Sequence, residues 1–246
     1  MLKATLLLTP GLSTKLNSTM KQVGMIVLFV LVVFGAVAQD GETRQLGSFK
    51  GLRVSEAVDV HIKKGDKESA KVEVDGVRVS DVITEVSGGY LRIHMKSGNY
   101  SGRRTVRVYL TYVTLEKISA ASASTVVSDE VVKSSTLDIA VASAAKVELQ
   151  VESNDVSVDA ASAGDIRLEG KARTLRVEAS SAGSVDAYDF ECERVDARAA
   201  TAGSARINVT KTLDAQASSG GSIRYRGNPS STNTDSSSGG SVKKSL

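Results

Sequence analysis

From residue 115 to the end of the chain, small or apolar residues alternate with polar ones, and the alternation is interrupted at a steady interval. In one stretch Val156, Val158, Ala160, Ser162, Gly164, Ile166 and Leu168 share a parity, while Ser157, Asp159, Ala161, Ala163, Asp165 and Arg167 share the other. The stretch before it repeats the pattern with Leu137, Ile139, Val141, Ser143, Ala145, Val147 and Leu149, and the one after it with Leu175, Val177, Ala179, Ser181, Gly183, Val185 and Ala187. A period of two predicts strands with one face turned inward and the other to solvent. A tripeptide marks the interval: Ser122-Ala-Ser, Ser143-Ala-Ala, Ser162-Ala-Gly, Ser181-Ala-Gly, Thr201-Ala-Gly, Ser219-Gly-Gly and Ser238-Gly-Gly, at spacings of 21, 19, 19, 20, 18 and 19 residues. Self-similarity at a fixed period is the signature of a repeat architecture. One such unit cannot bury its own apolar face, whereas units stacked at strand spacing bury one another's. Nineteen extended residues at roughly 3.3 Å each make a circuit of about 60 Å, which suits a flattened or triangular coil. The predicted fold is therefore all-β: a right-handed parallel β-helix or solenoid with coils of about 19 residues.

The same parity predicts a structural ladder. It places Ser143, Ser162, Ser181, Thr201 and Ser219 on the inner side as a stack of hydroxyls, with Gly164, Gly183 and Gly203 leaving room for the chain to bend or to approach the opposite wall. Residues 39–114 lack the tripeptide and read as ordinary strands: Val58, Val60 and Ile62; Ala70, Val72 and Val74; Val82, Thr84 and Val86; Leu91, Ile93 and Met95; Val106, Val108 and Leu110. They are expected to form wider coils or a β cap over the amino-terminal end of residues 115–246, because an uncovered last coil is an exposed edge. At the other end Thr232, Thr234 and Ser236 occupy the apolar slots, as suits a solvent-facing final coil.

Residues 20–38 differ from everything after them. One lysine precedes an apolar run, Val23–Val37, closed by the small residues Ala36 and Ala38, which reads as a secretory signal starting at Met20 and cleaved after Ala38. The first 38 residues would then be absent from the mature protein, and the run is shorter than the roughly 20 residues of a membrane-spanning helix. Export places the protein in the periplasm, at the outer-membrane surface or outside the cell. Cys192 is the only cysteine, so no disulfide forms within the chain even in an oxidising compartment. Removing Lys3, Lys15 and Lys21 with the signal takes Lys+Arg from 31 to 28, against 28 Asp+Glu. That balance offers no basic excess for nucleic acid.

Chemistry is sparse. No histidine follows His94 to activate any serine of the repeats, and His61 and His94, flanked by inward apolar residues, point outward as surface histidines rather than as a metal pair. Cys192 follows Phe190 in the one coil of twenty residues, which places it beside a bulge. No catalytic, cofactor or metal residue is assigned. An outer wall of short polar side chains suits a repetitive ligand such as a polysaccharide or another cell-surface component, and Arg176, Glu178 and Asp186 are the outer-face residues chosen to test it. The rival reading is a carbohydrate-active enzyme of the pectinase type, with Asp159, Asp165, Asp186 and Asp189 gathered on one face; a purely structural envelope protein is the third.

Several segments, taken in order, resemble a known family. Phe49-Lys-Gly-Leu-Arg-Val54 follows the signal, Val58-Asp-Val-His-Ile62 precedes a turn, and then come Gly89-Tyr-Leu-Arg-Ile93, Val106-Arg-Val-Tyr-Leu-Thr-Tyr112 leading to Leu115, and the Ser-Ala-Gly repeats. Together, over residues 46–246, they resemble the auto-transporter adhesin head domain (head GIN domain) proteins of Bacteroidetes. Val113 stands where that family often has proline, and Ser122-Ala-Ser124 where glycine is common. The resemblance implies a β-helical fold, export and an adhesin-like role without catalytic residues.

Overall fold

The computed structural model describes residues 40–100 and 102–245, so the expected signal segment, with a start at Met20 and cleavage after Ala38, lies outside the described residues. Residues 39–246 form one compact unit. Its repeating part is a parallel solenoid. Strands β10 (Val132–Val141), β11 (Lys146–Ala160), β12 (Asp165–Ala179), β13 (Ser184–Ala199) and β14 (Ser204–Ala217) are followed by β15 (Ser222–Arg226), β16 (Ser231–Ser236) and β17 (Ser241–Lys244). Each long strand contributes two arms. One precedes a tight corner and pairs in parallel with the corresponding arms above and below; the other follows it and does the same. Lys146, Asp165, Ser184, Ser204, Ser222 and Ser241 are register partners on successive coils. Their spacings of 19, 19, 20, 18 and 19 reproduce those of the tripeptides. We call the arms before the corner the first wall and those after it the second wall.

The corners run opposite to the expectation for the serines. At each, the first two residues of the tripeptide take left-handed backbone: Ser162 and Ala163 have φ of 49° and 59°, Ser181 and Ala182 49° and 61°, Thr201 and Ala202 49° and 59°. The turn closes through Gly164 N–H donating to Ala161 O at 2.9 Å, and equivalently from Gly183 to Ser180 and from Gly203 to Ala200. Two consecutive left-handed residues swing both side chains outward, so Ser143, Ser162, Ser181, Thr201 and Ser219 are exposed and no hydroxyl ladder lies inside. The ladder is made by the main chain instead. Ala144 N–H donates to Ser162 O, Ala163 N–H to Ser181 O, Ala182 N–H to Thr201 O and Ala202 N–H to Ser219 O, each at 3.1 Å. Gly164, Gly183 and Gly203 are buried, and each lies close against the main chain of the preceding coil rather than an opposite wall. A Cβ on Gly183 would sit 2.1 Å from Ala160 O of the preceding coil. The two earliest tripeptides, which lack glycine, seat Ala145 there with 1 % exposure and Ser124, whose Oγ donates to Val54 O.

The stack continues past residue 114. Strands β2 (Gly51–Val54) and β3 (Asp59–Lys64) form a coil of their own, with Glu56 and Ala57 as the left-handed corner, and pair in parallel with β8 (Lys117–Ala120) and β9 (Thr125–Ser128). On their other side lies a layer out of chain order: β6 (Tyr90–Met95) pairs in parallel with β2, and β7 (Thr105–Tyr112) with β3. Capping is done by antiparallel strands. β5 (Val82–Ser87) covers β6, while β4 (Ser69–Asp75) covers β7 and is itself covered by β1 (Asp40–Gln45). Apolar residues of both walls meet in one continuous core. Among the described residues there is no α-helix, and none long and apolar enough to cross a membrane.

Cys192 lies where the twenty-residue coil departs from regular pairing, with register shifts between Ala187 and Glu191 and between Cys192 and Arg194. The bulge turns Phe190 and Cys192 inward, both at 0 % exposure. Burial pushes the Cys192 thiol up to about 12, so it stays protonated where a free cysteine, near 8.5, would ionise. A thiol-reactive dye at mildly alkaline pH is expected to leave the folded chain unmodified and to react at once in denaturant. Prompt labelling of the folded chain would place the thiol outside the core.

Candidate functional site

The outward positions of the second wall fall into a row that crosses the whole stack. In register order it reads Thr43, Lys71, Tyr109, His61, Val127, Glu148, Arg167, Asp186, Arg206, Arg224 and Lys243. Each residue comes from a different strand, so side chains remote in sequence stand about 4.8 Å apart on a rigid surface.

Toward the capped end the row opens into a cleft of about 340 Å³, whose walls include Thr43, His61, Lys71, Tyr109 and Asp129. Its floor is an aromatic pair: the rings of His61 and Tyr109 stack with centroids 5.3 Å apart and planes inclined by 30°. His61 Nδ1 lies 3.0 Å from Asp129 Oδ1, which fixes the ring's orientation. Lys71 Nζ stands 5.9 Å from the Tyr109 centroid and 2.8 Å from Glu73 Oε1. The hydrogen bond from Lys71 to the Glu73 carboxylate, followed by their charge attraction, holds the ammonium above its ordinary value, so Lys71 is a cation throughout the neutral range. A second depression of about 300 Å³ adjoins along the same row, lined by Val127, Ser128, Glu148, Gln150 and Arg167 among others. The edges of this aromatic pair, with the carboxylates, hydroxyls and ammonium around them, make an apolar patch inside a polar rim, which can meet a ring that is apolar on its face and hydroxylated at its edge.

The residues singled out from sequence do not converge. Arg176 and Glu178 lie side by side on the first wall, with Arg176 Nη2 3.3 Å from Glu178 Oε1. Asp186 lies on the second wall, ion-paired with Arg206. Nor do the four aspartates of the enzyme reading share a face. Asp159 occupies the first wall, in register with Glu178, and its carboxyl is raised by burial and by that neighbour. Asp165 is on the second wall near the corner, and Asp189 is drawn to Arg226 at 3.2 Å and Arg167 at 3.9 Å. The two histidines are also separated, with His94 on β6 of the first wall bonding Met95 O. Among the described residues no three His, Cys, Asp or Glu side chains are placed to hold a metal ion. Sequence reasoning passed over Tyr109 and Lys71, although their outward parity on strands that flank His61 in space was readable once the strands were paired.

Residues 48–229 match the family described as "Putative auto-transporter adhesin, head GIN domain". No curated protein matches the chain. Among solved structures, a putative adhesin from Bacteroides fragilis superposes with a TM-score of 0.75 at 20% identity, over 84% of this chain and 96% of that one. A putative adhesin from Parabacteroides merdae gives 0.68 at 17% identity, over 86% and 98%. A putative lipid binding protein from Parabacteroides distasonis gives 0.65 at 19% identity, over 85% and 98%. These likenesses are of fold, and they extend over nearly the whole of each relative. With the family match spanning well over half of its length, the chain belongs to the auto-transporter adhesin head GIN domain family.

Proposed function

We propose that this chain is an exported, non-enzymatic binding module of the cell surface whose ligand is a glycan, seated on the His61–Tyr109 pair of the second wall. The observation that carries the reading is the aromatic pair itself, half-buried within a polar cleft on a rigid sheet. A sugar ring offers a C–H face for stacking and equatorial hydroxyls for a polar rim, and the cleft supplies a partner for each. Export is supported by the signal-like residues 20–38, and surface action by the adhesin family.

Screening the chain against a panel of immobilised glycans is expected to yield binding that falls about tenfold or more in Tyr109→Ala, as loss of a buried aromatic anchor does at other interfaces. Arg176→Ala and Glu178→Ala are expected to leave it unchanged; loss of binding in those variants instead would move the ligand to the first wall. Absence of binding across neutral and charged glycans would sink the reading in favour of a structural envelope protein, and release of reducing sugar from the bound glycan would sink its non-enzymatic part.

A further inference from the structure

Charges on the outer surface of the solenoid are mostly paired between coils. Across the bend between the walls, Lys133, Glu152, Lys171 and Glu191 are register partners of alternating sign. Glu152 lies 3.2 Å from both lysines, and their hydrogen bonds hold its carboxyl below the ordinary range. The second-wall row alternates in the same way through Glu148, Arg167, Asp186 and Arg206. Beyond Arg206 the alternation stops. Arg224 and Lys243 follow it directly in register, and Arg226 and Lys244 stand on the same two strands. The second-wall arms of the last three coils, residues 204–209, 222–226 and 241–244, carry no acidic residue at all. Asp186 and Asp189 are engaged by Arg206 and Arg226, and these two guanidiniums also lie 5.1 Å and 5.5 Å from the centroid of Tyr188. Arg224 and Lys243 are exposed and have no ion-pair partner among the described residues.

Like charges directly opposite on neighbouring strands repel; the sheet carries single like-charged pairs, such as Asp159 with Glu178 and Asp196 with Asp214, but three cations in consecutive register make an unbalanced column that an anionic cover would relieve. We infer that the column Arg206–Arg224–Lys243, with Arg226 and Lys244 beside it, is a docking strip for a carboxylated polysaccharide lying along the stack. Three features select this partner. The cations repeat once per strand, about 4.8 Å, so they present a line of charge rather than a point. Arginine offers a planar fork that matches a carboxylate two bonds at a time. Alongside the column, toward the corner, runs a row of half-buried serines, Ser204, Ser222 and Ser241, whose hydroxyls suit the uncharged edge of a sugar chain. A membrane surface fits less well, because peripheral membrane binding draws on apolar anchors, and the only exposed large hydrophobic residue among those described is Val131. This strip lies at the opposite end of the row from the Tyr109 cleft and asks for a different ligand.

The test is titration of the chain with polygalacturonate, with its methyl ester and with vesicles of anionic lipid, at low and high salt. Polygalacturonate is expected to bind and to weaken with salt, and the methyl ester to bind far less. Arg224→Ala/Lys243→Ala is expected to lower polygalacturonate affinity about tenfold, the scale of two lost ion pairs at an exposed surface. Lys133→Ala/Lys211→Ala, which removes the same charge from the bend, is expected to change it little. Equal loss in both double variants, equal binding of the methyl ester, or binding to vesicles but not to polygalacturonate would each overturn the inference. Tyr109→Ala is expected to leave polygalacturonate binding intact, so failure of the strip and failure of the cleft are read separately.

Discussion

Gly183→Ala is expected to lower the unfolding free energy by about 1–3 kcal/mol, the usual cost of forcing a carbon into a filled interior, whereas Ser181→Ala, two residues away, is expected to shift it by no more than about 0.5 kcal/mol. The contrast follows from how the corner is built. Gly183 is buried with its Cα against the main chain of the coil before it: an added Cβ would meet Ala160 O at 2.1 Å, Ala160 C at 2.4 Å and Ala161 N at 2.9 Å. None of these is the end of a flexible side chain. Relief therefore requires the coils to part, and the hydrogen bonds from Ser180 N–H to Ala160 O and from Ser184 N–H to Gly164 O lie in the way. Ser181, by contrast, holds its hydroxyl in solvent, and its contribution to the ladder is a carbonyl that alanine also carries. Urea denaturation of the two variants checks the pair of expectations. A larger loss from Ser181→Ala than from Gly183→Ala would restore the hydroxyls as the element that ties the corners together.

The corner also shows how far the pattern of polar and apolar residues could be read. Parity placed Ala160 and Gly164 on one side, and both are buried, because Gly164 stands an even number of positions, four, after Ala160; but counting in twos treats the chain as flat, and Ser162 lies in between on left-handed backbone. The register of the coils was legible because the tripeptide returns at every corner. The first corner was not, because Glu56 fills the place that serine or threonine takes elsewhere; there its Oε2 accepts a hydrogen bond from Met95 N–H, which ties the corner to the out-of-order layer. That layer has no periodic trace. Gly51 pairs with Tyr90 on one side and Lys117 on the other, and nothing in a local repeat records which segment inserts beneath an earlier one. The cleft was hidden for the same reason. His61 and Tyr109 became neighbours only through β3 pairing with β7, and Lys71 joined them through the antiparallel cap.

Phe190→Ala is expected to have the largest effect of any single truncation in the repeats, a loss of about 3–5 kcal/mol. Phe190 heads the fully buried side chains by size, and within the repeats the other buried hydrophobic residues are Val, Ala, Leu, Ile and Cys192. It occupies the coil where register is already interrupted, opposite Gly170, which has no side chain to expand into the vacated space. A Cβ at Gly170 would meet Val151 O at 2.2 Å, so that strand is held against its other neighbour and cannot move in to close the hole. Solenoid coils touch only the coils next to them, so the loss should remain local and open the region around 190 before the rest. Cys192, two residues along and buried in the same bulge, reports on this directly. In Phe190→Ala its thiol should become accessible to dye at denaturant concentrations where the amino-terminal coils retain their circular dichroism. If the thiol in that variant reacts only together with global unfolding, the coils are coupled more tightly than nearest-neighbour stacking allows.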